Sequence, residues 1–123
     1  MPSVLVIEDE PNILSNTIDI LRFEGYEVYG ATNGRTGVEM AHQKRPDLII
    51  CDIMMPECDG YQVLEALSSN ANTRSIPFIV MSARIDEKSL EHAITRGAKD
   101  YLLKPFTLAE LISVVRRYLN DNA

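Results

Sequence analysis

A chain of 123 residues is the size of one domain, and splitting it would leave two units too small to bury a core each. Hydrophobic residues make up 46% and charged residues 24%, the balance of a soluble globule that needs neither disulfides nor a structural metal to fold. Eighteen Asp and Glu against 12 Lys and Arg leave a net charge of −6, which opposes direct binding of nucleic acid through its phosphate backbone.

The longest aliphatic runs, residues 4–7 and 48–50, are strand-sized, and a bilayer span needs about 20 apolar residues. No Lys or Arg precedes the first run, so a secretory signal is not expected either. A cytoplasmic location follows as an expectation, with Cys51 and Cys58 as reduced thiols rather than a disulfide or metal pair.

Short β-rich runs alternate with longer stretches of helical periodicity, the pattern of βαβ units. The first strand is expected at residues 3–8. A helix then opens at Pro11, where the missing N–H costs nothing, sets Ile13, Leu14, Thr17, Ile18 and Leu21 on one side, and stops at Gly25. A second strand at 27–31 leads into a weaker helix carrying Val38 and Ala41 that ends before Pro46. The third strand occupies 48–52. After it, Asp59-Gly60-Tyr61-Gln62 reads as a capping box that starts a helix burying Val63, Leu64 and Leu67. Residues 68–75 form a loop before the fourth strand at 78–82. The fourth helix begins after Asp86 and ends at Gly97, with Leu90, Ala93 and Ile94 inward. A fifth strand at 100–103 precedes a second capping box, Thr107-Leu108-Ala109-Glu110, and a helix with Leu108, Leu111, Ile112, Val115, Tyr118 and Leu119 along one stripe. Val114 lies at the stripe's edge, as core margin or as the border of an association face.

Right-handed crossovers turn five such units into a three-layer α/β sandwich. The solid apolar runs of the first, third and fourth strands mark them as central, covered on both faces. No linker or repeat divides the pattern, so residues 1–123 are expected to be a single domain.

In open α/β sheets the working site lies beyond the carboxyl ends of the strands. Here those ends carry Glu8 and Asp9, Asp52, Ser82 and Lys104. With the first and third strands as neighbours, three carboxylates crowd together, and two of them about 4 Å apart repel by roughly 4 kcal/mol at an effective dielectric of about 20. A hard divalent cation relieves this, and Mg²⁺ suits a site of few carboxylates, waters and a phosphate oxygen. Lys104 supplies a point charge and Ser82 a hydroxyl for phosphoryl oxygens, which suits Asp52 to act as a carboxylate nucleophile that becomes an aspartyl phosphate.

Four segments, Val4 through Glu10, Pro46 through Gly60, Met81-Ser82-Ala83 and Gly97 through Phe106, together resemble the response-regulator receiver domain, the phospho-acceptor module of two-component signalling. The resemblance covers essentially the whole chain. It implies a flavodoxin-like, five-stranded parallel sheet of order 2-1-3-4-5 with five helices. It also implies that Asp52 takes phosphate from a histidine kinase or phosphotransfer protein, that Asp9 and Asp52 bind Mg²⁺, and that Glu8 acts through water and Met54 through its backbone carbonyl. Lys104 and Ser82 would contact the phosphoryl group, Tyr101 would change rotamer with it, and Pro105 would follow a cis peptide bond. The face formed by the fourth helix, fifth strand and fifth helix would then act on a downstream protein or an output domain, with the chain a monomer or a phosphorylation-dependent homodimer. Glu8 stands where Asp is also common in the family, and Ser82 where Thr is frequent.

Such a domain is not an enzyme toward external substrates; it catalyses only its own phosphorylation and slow dephosphorylation. Three other readings compete. A flavin module of the same sheet order fails on charge, because Glu8, Asp9 and Glu10 stand where a cofactor phosphate would sit. A phosphohydrolase would want a second acid two residues after Asp52, where Met54 stands. A docking protein that has lost phosphorylation would not need every phospho-site element present here. His42 and His92 read as surface residues, the methionines as packing or loop residues, and Gly30, Gly34 and Gly37 do not make a dinucleotide fingerprint. The chain is expected to be either a stand-alone receiver or the receiver segment of a longer regulator.

Overall fold

The computed structural model describes residues 1–55, 57–83 and 87–119, with the Glu87 side chain excepted. Pro56 and Asp86, landmarks of the sequence reading, lie outside the described residues. In chain order the elements are β1 (Ser3–Ile7), α1 (Pro11–Phe23), β2 (Glu27–Ala31), α2 (Gly34–Lys44), β3 (Leu48–Asp52), α3 (Gly60–Ser68), β4 (Phe78–Ser82), α4 (Glu87–Thr95), β5 (Asp100–Leu103) and α5 (Leu108–Tyr118). Strands pair in parallel in the order β2-β1-β3-β4-β5.

Burial explains the order. Every residue of β1, β3 and β4 is buried, whereas β2 and β5 mix exposed and buried positions as edge strands do. Alternate side chains go to opposite faces. Val4, Val6, Ile50, Ile79 and Met81 pack with Leu14 and Leu21 of α1 and Leu111 and Val115 of α5. Leu5, Ile7, Ile49, Cys51 and Val80 pack on the other face with Ala41, Val63, Leu64, Leu67 and Ala93.

Both expected capping boxes are present: Asp59 with Gln62 opens α3, and Thr107 with Glu110 opens α5. An unforeseen cap opens α1, where the Glu10 carboxylate accepts the N–H groups of Asn12 and Ile13. Lys104-Pro105 is cis.

Four expectations need correction, and the reading left open at Val114 is decided. β1 ends at Ile7, and Glu8 follows it as a loop residue whose N–H still reaches the Ala31 carbonyl at 3.0 Å. Ile94 is 46% exposed because α4 turns Ala93 rather than Ile94 onto the sheet. Leu108 is 57% exposed, since the first residue after the Thr107 cap projects before the helix has turned over the sheet. Val114 is buried and belongs to the core. His42 is half-buried rather than a surface residue.

Leu111→Ala is therefore expected to lower the unfolding free energy by about 2–5 kcal/mol, the usual cost of emptying a buried leucine site. Leu108→Ala should cost about 0.5 kcal/mol or less, as at exposed positions generally. Urea denaturation followed by circular dichroism reads both.

Candidate functional site

Because β1 and β3 run in parallel with Ile7 opposite Cys51, the next step along both chains sets Glu8 beside Asp52. Ser82 pairs with Leu103 in the same way, and the Lys104 N–H donates to the Ser82 carbonyl at 2.8 Å, which brings the Lys104 side chain to the same end of the sheet. Glu8, Asp9 and Asp52 each offer a carboxylate oxygen, all within 4.8 Å of one another.

The ammonium of Lys104 lies 2.5 Å from Glu8 Oε1 and 3.4 Å from Asp52 Oδ2. Glu8 has no exposed surface, and Asp52 and Ser82 are each 3% exposed, so two acids and a hydroxyl sit largely out of water. Glu8 Oε2 accepts the Glu10 N–H at 3.1 Å, and Asp52 Oδ1 accepts the Met54 N–H at 3.3 Å. Glu8 Oε1 accepts no hydrogen bond of good geometry among the described residues, despite its closeness to the ammonium.

Burial pushes the Glu8 carboxyl up to about 7; contact with Lys104 and the Glu10 N–H pulls it down, and the Asp52 charge adds to the rise. For Lys104 the two carboxylates outweigh burial and raise the ammonium, so it stays charged. Burial, reinforced by the Asp52 charge, pushes the Cys51 thiol well up, as expected of an inert packed residue. An under-satisfied buried carboxyl among oxygen donors alone fits a hard divalent cation, which would restore the charge that burial opposes.

The expected residues thus divide. Glu8, Asp9, Asp52, Ser82 and Lys104 converge at one end of the sheet. Met54 is 68% exposed and meets Asp52 through its backbone N–H. Tyr101 is 42% exposed on edge strand β5, outside the acid cluster. Two contributors escaped the sequence reading. Glu10 caps α1 while its own N–H holds Glu8. Gly60 begins α3 so close to the end of β3 that a Cβ there would come within 2.6 Å of both the Asp52 carbonyl oxygen and the Ile53 Cα. The Asp-Gly pair of the capping box was the signal for Gly60; nothing local announces Glu10.

Fold and site together define a doubly wound α/β protein with an acidic cluster whose oxygens could hold a metal ion and an ammonium at the carboxyl ends of its strands. A family model described as the response regulator receiver domain matches residues 4–116. The transcriptional regulatory protein PrrA of Mycobacterium bovis is 40% identical over 96% of this chain and 50% of its own length. Protein PilH of Pseudomonas aeruginosa is 32% identical over 97% of this chain and 98% of its own. Among solved structures, the Vibrio cholerae chemotaxis protein CheY4 superposes with a TM-score of 0.93 at 28% identity, over 97% of this chain and 99% of that one. The receiver domain of the Pseudomonas aeruginosa sensor histidine kinase PA1611, solved with a magnesium ion coordinated in its active-site cleft, gives 0.89 at 31% identity over 98% of each chain. The chain belongs to the response-regulator receiver domain family of two-component signalling. It spans about half the length of PrrA and 49% of the regulator RpaA of Synechocystis.

Two outcomes follow from the geometry. In protein free of divalent cations, native Glu8 keeps between pH 4.5 and about 7 a proton that the unfolded chain has released. Stability contributed by this group is therefore full below that window and falls as pH rises through it, by on the order of 1–3 kcal/mol. Thermal or urea melts at stepped pH should show this fall, and Glu8→Gln should remove it. Gly60→Ala must displace the Asp52–Ile53 backbone, so it should cost about 1–3 kcal/mol of stability and weaken divalent-cation binding measured by calorimetry.

Proposed function

We propose that residues 1–123 act as one phosphorylation switch in which Asp52 is the phospho-acceptor. The convergence of three carboxylates and one ammonium on the carboxyl ends of β1, β3 and β5 carries this reading. A carboxylate of Asp52 attacks the phosphorus of a phosphohistidine on a histidine kinase or phosphotransfer protein. The P–N bond breaks, the imidazole takes up a proton, and an acyl phosphate remains on Asp52.

Glu8, Asp9 and Asp52, with the Met54 carbonyl, would hold Mg²⁺, which when bound offsets the negative charge of the incoming phosphoryl group. Lys104, already between Glu8 and Asp52, offers its ammonium to a phosphoryl oxygen, and Ser82 donates its hydroxyl to another. The Met54 N–H orients the Asp52 carboxylate through Oδ1. An apolar cleft lined by Ile13, Asn16, Ile20, Ala83 and Phe106 opens beside Lys104 and offers the donor protein a surface next to the reacting atoms. The chain catalyses its own phosphorylation and a slow hydrolysis of the product, and no other turnover.

Contacts that Ser82 and Lys104 make only with the phosphoryl group bias the face of α4, β5 and α5, Tyr101 included, toward the form that acts on a partner. That partner is an attached output domain or a separate protein, met by a monomer or a phosphorylation-dependent homodimer in the cytoplasm. No described helix is long and apolar enough to cross a membrane. The domain itself does not contact nucleic acid.

With Mg²⁺ and acetyl phosphate, intact mass should rise by one phosphoryl group. Asp52→Asn should abolish the gain, and Lys104→Ala should leave it slow and short of completion. A gain of the same size in Asp52→Asn would move the acceptor elsewhere.

A further inference from the structure

The other helices are seated by several buried apolar side chains or, in α2, by close-packed glycines and alanine, but α4 is seated differently. Among its described side chains Ala93 alone is fully buried, Leu90 is half-buried and Ile94 projects, so α4 packs most thinly on the rest of the fold. Polar contacts from α3 take over. The Tyr61 hydroxyl donates to the Ser89 carbonyl at 3.2 Å in the first turn of α4. One turn on, the Tyr61 ring meets the His92 ring edge to face, with centroids 4.7 Å apart and planes at 81°. Just past the last turn, Arg96 pairs with Glu65 at 2.6 Å.

Both α3 partners belong to the helix whose first residue lies against the Asp52–Ile53 peptide, with the Gly60 N–H bonded to the Ile53 carbonyl at 3.0 Å. The end of β3 and the whole length of α4 are thereby tied to one short, doubly capped helix. We propose that Tyr61 and Glu65 are positioning residues for switching: they clasp α4 in its unphosphorylated place, and α4 moves only by breaking the clasp. The switching half of this inference rests on the reading of Asp52 as phospho-acceptor; the clasp itself does not.

A contact made in one state alone shifts the equilibrium by its own worth. A neutral hydrogen bond contributes about two- to ten-fold, and an exposed ion pair about two- to five-fold. Tyr61→Phe removes the hydroxyl donor, and Glu65→Gln removes one charge of an exposed pair. Hydrogen exchange of the α4 amides, measured without any phosphoryl group, should quicken about two- to ten-fold in each variant while β1 and β3 amides stay unchanged. The beryllium fluoride concentration, with Mg²⁺, that half-saturates the protein should fall by a similar factor, because less energy is then needed to free α4. Glu24→Gln, which breaks the Arg116–Glu24 pair between α1 and α5, should move neither readout.

Unchanged α4 exchange in both variants overturns the clasp. Faster exchange with unchanged beryllium fluoride binding overturns the switching role and leaves a purely structural contact. If the wild type itself fails to bind beryllium fluoride, the phospho-acceptor reading falls and the switching role with it, while the exchange measurement still judges the clasp. Should Tyr61→Phe fail to fold, the surface variants Glu65→Gln and Arg96→Gln carry the same test.

Discussion

The structure depends on keeping negative charge where water is scarce. Glu8 directly follows one buried strand and Asp52 ends its neighbour, and an isolated carboxylate there would shed its charge. Lys104 answers part of this, close to Glu8 and further from Asp52, and leaves Glu8 with a carboxyl that titrates near neutrality. The cluster offers oxygen atoms of the kind that a small, hard cation takes.

Parallel pairing is what makes that concentration of charge possible. All five strands point the same way, so the residue following each apolar run emerges at one edge of the sheet. Two apolar layers then hold the strands rigid, one with α1 and α5 and the other with α2, α3 and α4. Rigidity is uneven, however. The sheet and α3 fix the acids, while α4 hangs on a buried alanine and polar contacts to its neighbour. The cluster thus sits on well-packed elements, while the contacts that seat α4 are few and mostly polar.

Much of this was legible in one dimension because the local signals agree with the global fold. Runs such as Val4-Leu5-Val6-Ile7 and Phe78-Ile79-Val80-Met81 have no polar face, so they had to be central strands. Asp59-Gly60-Tyr61-Gln62 and Thr107 through Glu110 carry their own start signals, and the boxes form as read. Failures fall where periodicity is satisfied but geometry is not. Ile94 and Leu108 have the right spacing for an apolar stripe, yet the first lies on a helix that touches the sheet through Ala93 and the second precedes the turn that would bury it. Glu10 as a helix cap runs against the usual preference for shorter side chains, and only the bend after Glu8 makes its reach useful.

By itself the order of residues determined the alternation of strands and helices, which strands are central, and that Glu8, Asp9, Asp52, Ser82 and Lys104 stand just past or at the ends of strands. Those are properties of neighbours along the chain, set by side-chain period, capping and hydrophobicity. Which acid Lys104 approaches most closely, how deeply Glu8 is buried, the approach of Gly60 to the Asp52 carbonyl and the clasp of Tyr61 on α4 were decided only in three dimensions. Each depends on distances between segments tens of residues apart, and those distances come from sheet register and helix packing, which no local stretch of sequence encodes.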